Sequence, residues 1–289
     1  MPGSGEDLSG SAFGVIEKTL GRGGSATVYL ARRSAHDAPV ALKVLDAEHR
    51  SAPEQERLHR EFDFARQLDH PNIITMLERG PHWLAMSYID AGDASTLPTP
   101  QSRLAVLAQI ASALDYAHQM GIVHCDVKPT NILVRKELSN GVLIDFGVAH
   151  SVAEDIAARL ARHSHLRLSL DPAKRITHQH ADRPADPHAS LPYAPPEILL
   201  GRLPSAASDE YALACTTVEL LTGTTPFNAT TPAALIDAHL SQSPPRVSRR
   251  VSFLPRVFDS ILARAMAKDP DQRYESCTEF VELITRAVR

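Results

Sequence analysis

From Phe13 to Leu20 apolar and polar residues alternate loosely, the period-two pattern of a strand with one buried face. The run Leu20-Gly21-Arg22-Gly23-Gly24-Ser25-Ala26 follows, and then Thr27-Val28-Tyr29-Leu30, β-branched and aromatic, predicts a second strand after the glycines. Val40-Ala41-Leu42-Lys43 predicts a short apolar strand that carries one lysine. The period then changes. Between Pro53 and Leu68 the residues Phe62, Phe64, Ala65 and Leu68 form the apolar face of a helix whose charges include Arg57, Arg60, Glu61 and Arg66. Ile73–Leu77 and Trp83–Tyr88 read as two strands joined by the turn Arg79-Gly80-Pro81-His82.

Beyond residue 90 the pattern is mainly helical. Leu104, Leu107, Ala108, Ala111, Leu114 and Ala117 recur at helical spacing within Gln101–Met120, and Gly121 ends the run. Ile132-Leu133-Val134 and Val142-Leu143-Ile144 flank Leu138-Ser139-Asn140-Gly141, where Asn-Gly signals a hairpin. Ser208 to Leu221 is an apolar helix capped by Gly223, and Pro232–Leu240, Phe258–Ala267 and Cys277–Val288 are amphipathic helices. Strands first and helices afterwards predict an α+β chain. Residues 1–12, rich in Gly and Ser, read as a disordered leader.

Composition narrows the class. The 289 residues suit one large domain or two lobes sharing an interface. Apolar residues make up 43% and charged residues 22%, ordinary for a globular chain. The net charge of −4 argues against a general nucleic-acid or membrane-surface binder. Cys125, Cys215 and Cys277 form no zinc or disulfide spacing, so reduced thiols in the cytoplasm are expected. No apolar run reaches the roughly 18 residues of a membrane span, which leaves either a cytoplasmic protein or the cytoplasmic domain of a longer membrane protein.

The chemistry concentrates in His124-Cys125-Asp126-Val127-Lys128-Pro129-Thr130-Asn131 and in Asp145-Phe146-Gly147. An acid, a cation and an amide fall within six positions, and a second acid follows an apolar run. Phosphoryl transfer from a nucleotide needs such a set: one carboxylate for the attacking hydroxyl, a cation for the moving phosphate, and an amide with a second carboxylate for a metal ion. The two motifs resemble the catalytic loop and the metal-binding motif of the protein kinases. The likeness extends over about residues 13 to 286 and lies closest to the bacterial Ser/Thr protein kinases.

The resemblance implies a bilobal kinase fold, with a small antiparallel β-rich lobe (13–88) holding one main helix and a larger, mainly helical lobe (89–289). It implies ATP and Mg2+, with Mn2+ as an alternative metal, and transfer to Ser/Thr hydroxyls of protein substrates, this chain included. A homodimer is compatible with it. By the same resemblance Asp126 orients or takes the hydroxyl proton, Lys128 steadies the γ-phosphate, and Asn131 and Asp145 hold the metal. Lys43, fixed by Glu61, holds the α- and β-phosphates under Gly21 and Gly23. Leu20, Val28, Ala41 and Met86 would line the nucleotide, the backbone around Tyr88 would bond the adenine, and Asp93 would reach the ribose. Ser190 stands where the family has a Thr that binds the catalytic Asp and Lys. Glu197 would pair with Arg273, and Asp209 would brace the catalytic loop. The rival reading is a pseudokinase, a nucleotide-binding scaffold without transfer. Ala26 in the third glycine position and Cys125 are the features in its favour.

Cys125 stands where most of the family carries Arg. A neutral thiol cannot pair with a phosphate on the activation segment, so activity is expected to depend little on phosphorylation there. If another cation had taken over, Arg60 would be the first suspect. The activation segment, 145–197, is long and carries an insert over about 151–188. There Arg159, Arg162, Arg167, Lys174, Arg175 and Arg183 mix with His163, His165, His178, His180 and His188. Helical spacing is weak in Ala153–Leu168. The two His-x-His pairs raise zinc, but no Cys or clear carboxylate completes a set, so a solvated loop is expected.

Overall fold

The strands of the first ninety residues build one antiparallel sheet around a single helix. The computed structural model describes residues 13–135, 140–147, 149–151 and 190–288. The leader and the His/Arg-rich insert, with its weak helical stretch, lie outside the described residues. The strands are β1 (Val15–Arg22), β2 (Ala26–Arg32), β3 (Val40–Leu45), β4 (Met76–Arg79) and β5 (Trp83–Ser87), in the order β1-β2-β3-β5-β4. Register decides which side chains share a face. Val28 lies opposite Lys43 and Lys43 opposite Leu84, while Leu30, Ala41 and Met86 align one step away. With period two, all six point to the same side. Helix α1 (Ala52–Arg66) covers part of that side with Leu58, Glu61, Phe62 and Ala65, all buried.

In the larger lobe β6 (Ala91–Asp93), β8 (Ile132–Arg135) and β9 (Asn140–Leu143) form a small sheet, and β7 (Ile122–Val123) pairs with β10 (His150–Ser151). The helices among the described residues are α2 (Pro100–Gln119), α3 (Pro196–Leu199), α4 (Ala206–Thr222), α5 (Pro232–Ser241), α6 (Arg256–Ala265) and α7 (Cys277–Val288). Thr99 caps α2, and Gly121 with φ 76 lets the chain leave it. Helix α4 is buried almost all round, from Ser208 to Val218, and α2, α6 and α7 pack on it. It is the centre of this lobe, and its buried polar residues, Ser208, Asp209, Glu210, Thr216 and Thr217, must find partners inside it.

Two sequence expectations need correction. The strand expected at Ile73–Leu77 pairs only from Met76 and runs on to Arg79. Ile73 instead makes a lone parallel bridge to Leu143, and the Ile74 N–H donates to the Leu143 carbonyl (3.0 Å). This segment is apolar because it is stitched onto the larger lobe. Asn140-Gly141 does not turn the hairpin: both residues lie inside β9, and the connection 136–139 lies outside the described residues. Gly141 is needed for packing, since a Cβ there would sit 2.7 Å from Val106 Cγ1.

A buried ion pair fixes the end of the activation segment. Arg273 donates from Nη1 and Nη2 to the two oxygens of Glu197, each at 2.8 Å, and further to the carbonyls of Ala207 and Ala267. The Ser208 hydroxyl donates to Glu197 as well (2.8 Å). Burial alone would raise the Glu197 pKa, but the bonds and charge of Arg273 outweigh it and hold it low. Arg273→Ala strands that carboxylate and should cost about 3–5 kcal/mol in chemical denaturation. A midpoint within error of the parent would mean the pair carries no stability.

Glu210, one position past Asp209 on α4, is also buried, but it has no salt-bridge partner among the described residues. Its Oε1 accepts the Tyr274 N–H at 3.0 Å, and burial pushes its carboxyl up to about 8. The folded chain therefore holds a proton there that the unfolded chain has released above about pH 4.5. Stability from this group is complete at acid pH and drains away as pH rises towards 8. Glu210→Gln keeps the acceptor and cannot ionise. It should melt with the parent at about pH 4 and several degrees above it near pH 8.5, and equal melting at both values would refute the assignment.

Candidate active site

The site lies where the lower face of the large sheet meets the loops of the larger lobe. Lys43 reaches from β3 to both oxygens of Glu61 on α1, each 2.7 Å away, and to Asp145 Oδ1 at 3.4 Å. Burial alone would lower the lysine pKa, but the charges of Asp145 and Glu61 overcome it and leave the ammonium firmly protonated. Burial pushes the Glu61 carboxyl up, yet with the ammonium on both oxygens we take it as ionised. The Lys43 charge holds Asp145 down at about 2. The side chains differ in access: Glu61 is 4% exposed and Asp145 42%, so Asp145 is the acid that an incoming cation can meet.

The catalytic loop hangs on Asp209. Its Oδ1 accepts the Cys125 N–H (2.7 Å), and its Oδ2 accepts the His124 N–H (2.7 Å) and lies 2.8 Å from His118 Nε2. Burial would raise the Asp209 pKa, but these partners, His118 foremost, hold it low. The clamp stabilises a left-handed backbone at Cys125, φ 67, which few non-glycine residues adopt. His124 ties this loop to the metal-motif segment. The Asp126 N–H donates to its Nδ1 (3.2 Å), so Nε2 carries the proton and donates to the Ile144 carbonyl (3.1 Å). Its ring meets Phe146 edge-on at 4.7 Å. Nothing in the residue pattern around His124 predicts this bridging role.

Asp126 is surrounded by donors. Ser190 Oγ donates to Oδ1 at 2.7 Å, and Lys128 Nζ and Asn131 Nδ2 meet Oδ2 at 2.8 and 3.0 Å. Lys128 also donates to Ser190 Oγ at 3.0 Å, so the hydroxyl bridges acid and cation. Asn131 sends its amide N–H groups to the carbonyl and carboxylate of Asp126. Its Oδ1, like Asp145 Oδ2, has no hydrogen-bond partner among the described residues, which fits a pair of oxygens kept for a divalent cation.

The remaining expected residues are less concentrated. Val28, Ala41 and Met86 lie on the Lys43 face of the sheet. Leu20 is exposed at a bulge in β1, and Tyr88 is half-buried just beyond β5. The Asp93 side chain lies outside the described part. A Cβ at Gly21 would meet no protein atom within 4 Å, and Gly23 N–H closes the turn onto the Ala26 carbonyl (2.8 Å). Arg60, the first suspect for a phosphate-pairing cation, is exposed, and Arg57 on the same helix donates its Nε–H to the Gly147 carbonyl at 2.9 Å. One further cluster, Asp115, His118 and Cys277, brings its ligating atoms within 4.8 Å. Asp115 already caps α7 through the N–H groups of Cys277 and Thr278, and His118 serves Asp209, so the cluster is read as structural.

Residues 15–283 match the family profile described as protein kinase domain. The chain belongs to the protein kinase family. It is 37% identical over 289 residues to the serine/threonine-protein kinase PknJ of Mycobacterium tuberculosis, covering 94% of this chain and 45% of PknJ. With PknF of the same organism it shares 35% over 294 residues, covering 95% of this chain and 56% of the relative. The chain thus spans about half the length of these relatives. The crystal structure of the M. tuberculosis PknI kinase domain superposes with a TM-score of 0.67 at 28% identity, covering 97% of this chain and 99% of that one.

In this kinase chain Asp209→Asn would aim an amide NH2 at one of two backbone N–H donors. It should cost at least about 1–3 kcal/mol, the penalty for a buried donor left without an acceptor. Unchanged stability with an unchanged His124 and Cys125 amide exchange rate would show that the clamp is dispensable.

Proposed function

We propose that this kinase domain transfers the γ-phosphoryl group of ATP to serine or threonine hydroxyls of protein substrates. The observation that supports it most is the convergence of two satisfied charge sets, Lys43–Glu61–Asp145 and Asp126–Lys128–Asn131 with Ser190. Lys43 is positioned to neutralise the α- and β-phosphates, and the open turn at Gly21 and Gly23 to cover them. Asp126, held by three donors, keeps an oriented carboxylate for the incoming alcohol and takes its proton as the new O–P bond forms and the bond from the γ-phosphorus to the β–γ bridging oxygen breaks, releasing ADP. Lys128 offsets charge on the transferred group. Asn131 Oδ1 and Asp145 would hold a divalent metal, which supplies positive charge against the phosphates. An all-oxygen pair suits Mg2+ first and Mn2+ as well.

Loss of Lys43, Asp126, Asn131 or Asp145 would favour a scaffold without transfer, and all four are present and engaged. The domain is read as cytoplasmic, in line with three cysteines whose spacing suggests no disulfide, and no helix among the described residues is long and apolar enough to cross a membrane. Its partners are read as protein substrates, a second copy of the chain among them.

The test is direct. With labelled ATP and Mg2+, label should appear on Ser and Thr. Asp126→Asn should keep nucleotide binding and lower kcat by roughly 10²–10⁴-fold, the usual worth of a positioned acid–base group. Asp145→Asn should lose metal-supported nucleotide binding too. Near-normal autophosphorylation in both variants would sink the kinase reading.

A further inference from the structure

The metal-facing acid sits on strained backbone. Asp145 has φ 66, a left-handed conformation that a non-glycine residue keeps only when its surroundings impose it. Lys43 draws its side chain from one side, and the Gly147 N–H donates to its Oδ1 at 3.2 Å. These two contacts fix the carboxylate. The turn itself is held from elsewhere. Arg57, one helical turn before Glu61 on α1, donates its Nε–H to the Gly147 carbonyl at 2.9 Å. Space at Gly147 is closed by the same groups. A Cβ there would lie 3.0 Å from Asp145 Oδ1, 3.2 Å from Glu61 Oε2 and 3.7 Å from Arg57 Nη2. Three charged side chains from two lobes thus converge on one glycine.

We propose that Arg57 is a positioning residue that locks the Asp145–Gly147 turn against α1, so that Lys43–Glu61 pairing and metal-ready Asp145 come as one unit. The anchor is a neutral backbone carbonyl, so the lock needs no phosphate. The bare chain already has Lys43 on Glu61 at 2.7 Å. Arg57 acts through Asp145, so its effect falls on metal-supported nucleotide binding rather than on binding in general. The inference rests on the nucleotide-dependent reading above, but not on transfer having occurred.

ADP affinity of the full chain, treated with phosphatase until its mass is that of the bare polypeptide, is measured by calorimetry with Mg2+ and with EDTA. Arg57→Met keeps the apolar stem and removes the donors. It should lose roughly tenfold of the affinity that Mg2+ adds, the worth of one charged hydrogen bond, with metal-free affinity and melting temperature unchanged. Arg57→Lys should restore part of the gain. Arg60→Gln, on the exposed side of the same helix, should match the parent. The proposal is overturned if Arg57→Met gains as much from Mg2+ as the parent. It is equally overturned if metal-free affinity and melting fall in proportion, or if Mg2+ adds nothing to the parent. A parent that binds Mg2+-ADP with this Arg57 dependence yet phosphorylates no Ser or Thr would sink the transferase reading and leave the positioning role standing.

Discussion

Burying the carboxylate of Asp209 is the constraint on which the site depends. A fully enclosed anion is tolerated only if donors surround it, and α4 offers it none of its own. The donors come from α2, through His118, and from two successive amides of the catalytic loop. The loop is therefore shaped by the needs of a group that takes no part in the chemistry. His124 passes that order on, through Asp126 N–H on one nitrogen and Ile144 O on the other. The buried packing of α4 fixes where that carboxylate stands.

The two lobes are joined by more than the covalent link after β5. Asn72 sends its amide to Asn140 Oδ1 and the Gly141 carbonyl, each at 2.7 Å, and Ile73 bridges to Leu143. The segment following α1 thus rides on the hairpin that leads into Asp145. Movement of the small lobe as a rigid body would have to pivot about this stitch.

Much of this could be read from the residues, and the failures are physically specific. The period of Leu104, Leu107, Ala111 and Leu114 defines α2 because one face of it meets the core. The order of the Asp126 and Asp145 motifs marked the chemistry because few sites need those groups at that spacing. Ile73 and Ile74 are apolar for a reason that lies seventy residues away, so a local pattern misread them as strand. Asn140-Gly141 carries turn chemistry but is glycine-bearing because Val106 crowds it. Arg57 was within reach: it stands four residues before Glu61 and so shares its helix face, whereas Arg60 is turned roughly 100° away. What no pattern discloses is which carbonyl such a side chain will find.

The left-handed turn at Cys125 separates two kinds of inheritance. Asp209 grips that residue by its amide, so the geometry delivered to Asp126 is written in the backbone. What the clamp reads at position 125 is the amide and not the thiol, so the path of the chain into Asp126 does not depend on which side chain stands there. Under the transferase reading proposed above, the means of switching the domain on and the groups that move the phosphate are then separable features of one loop.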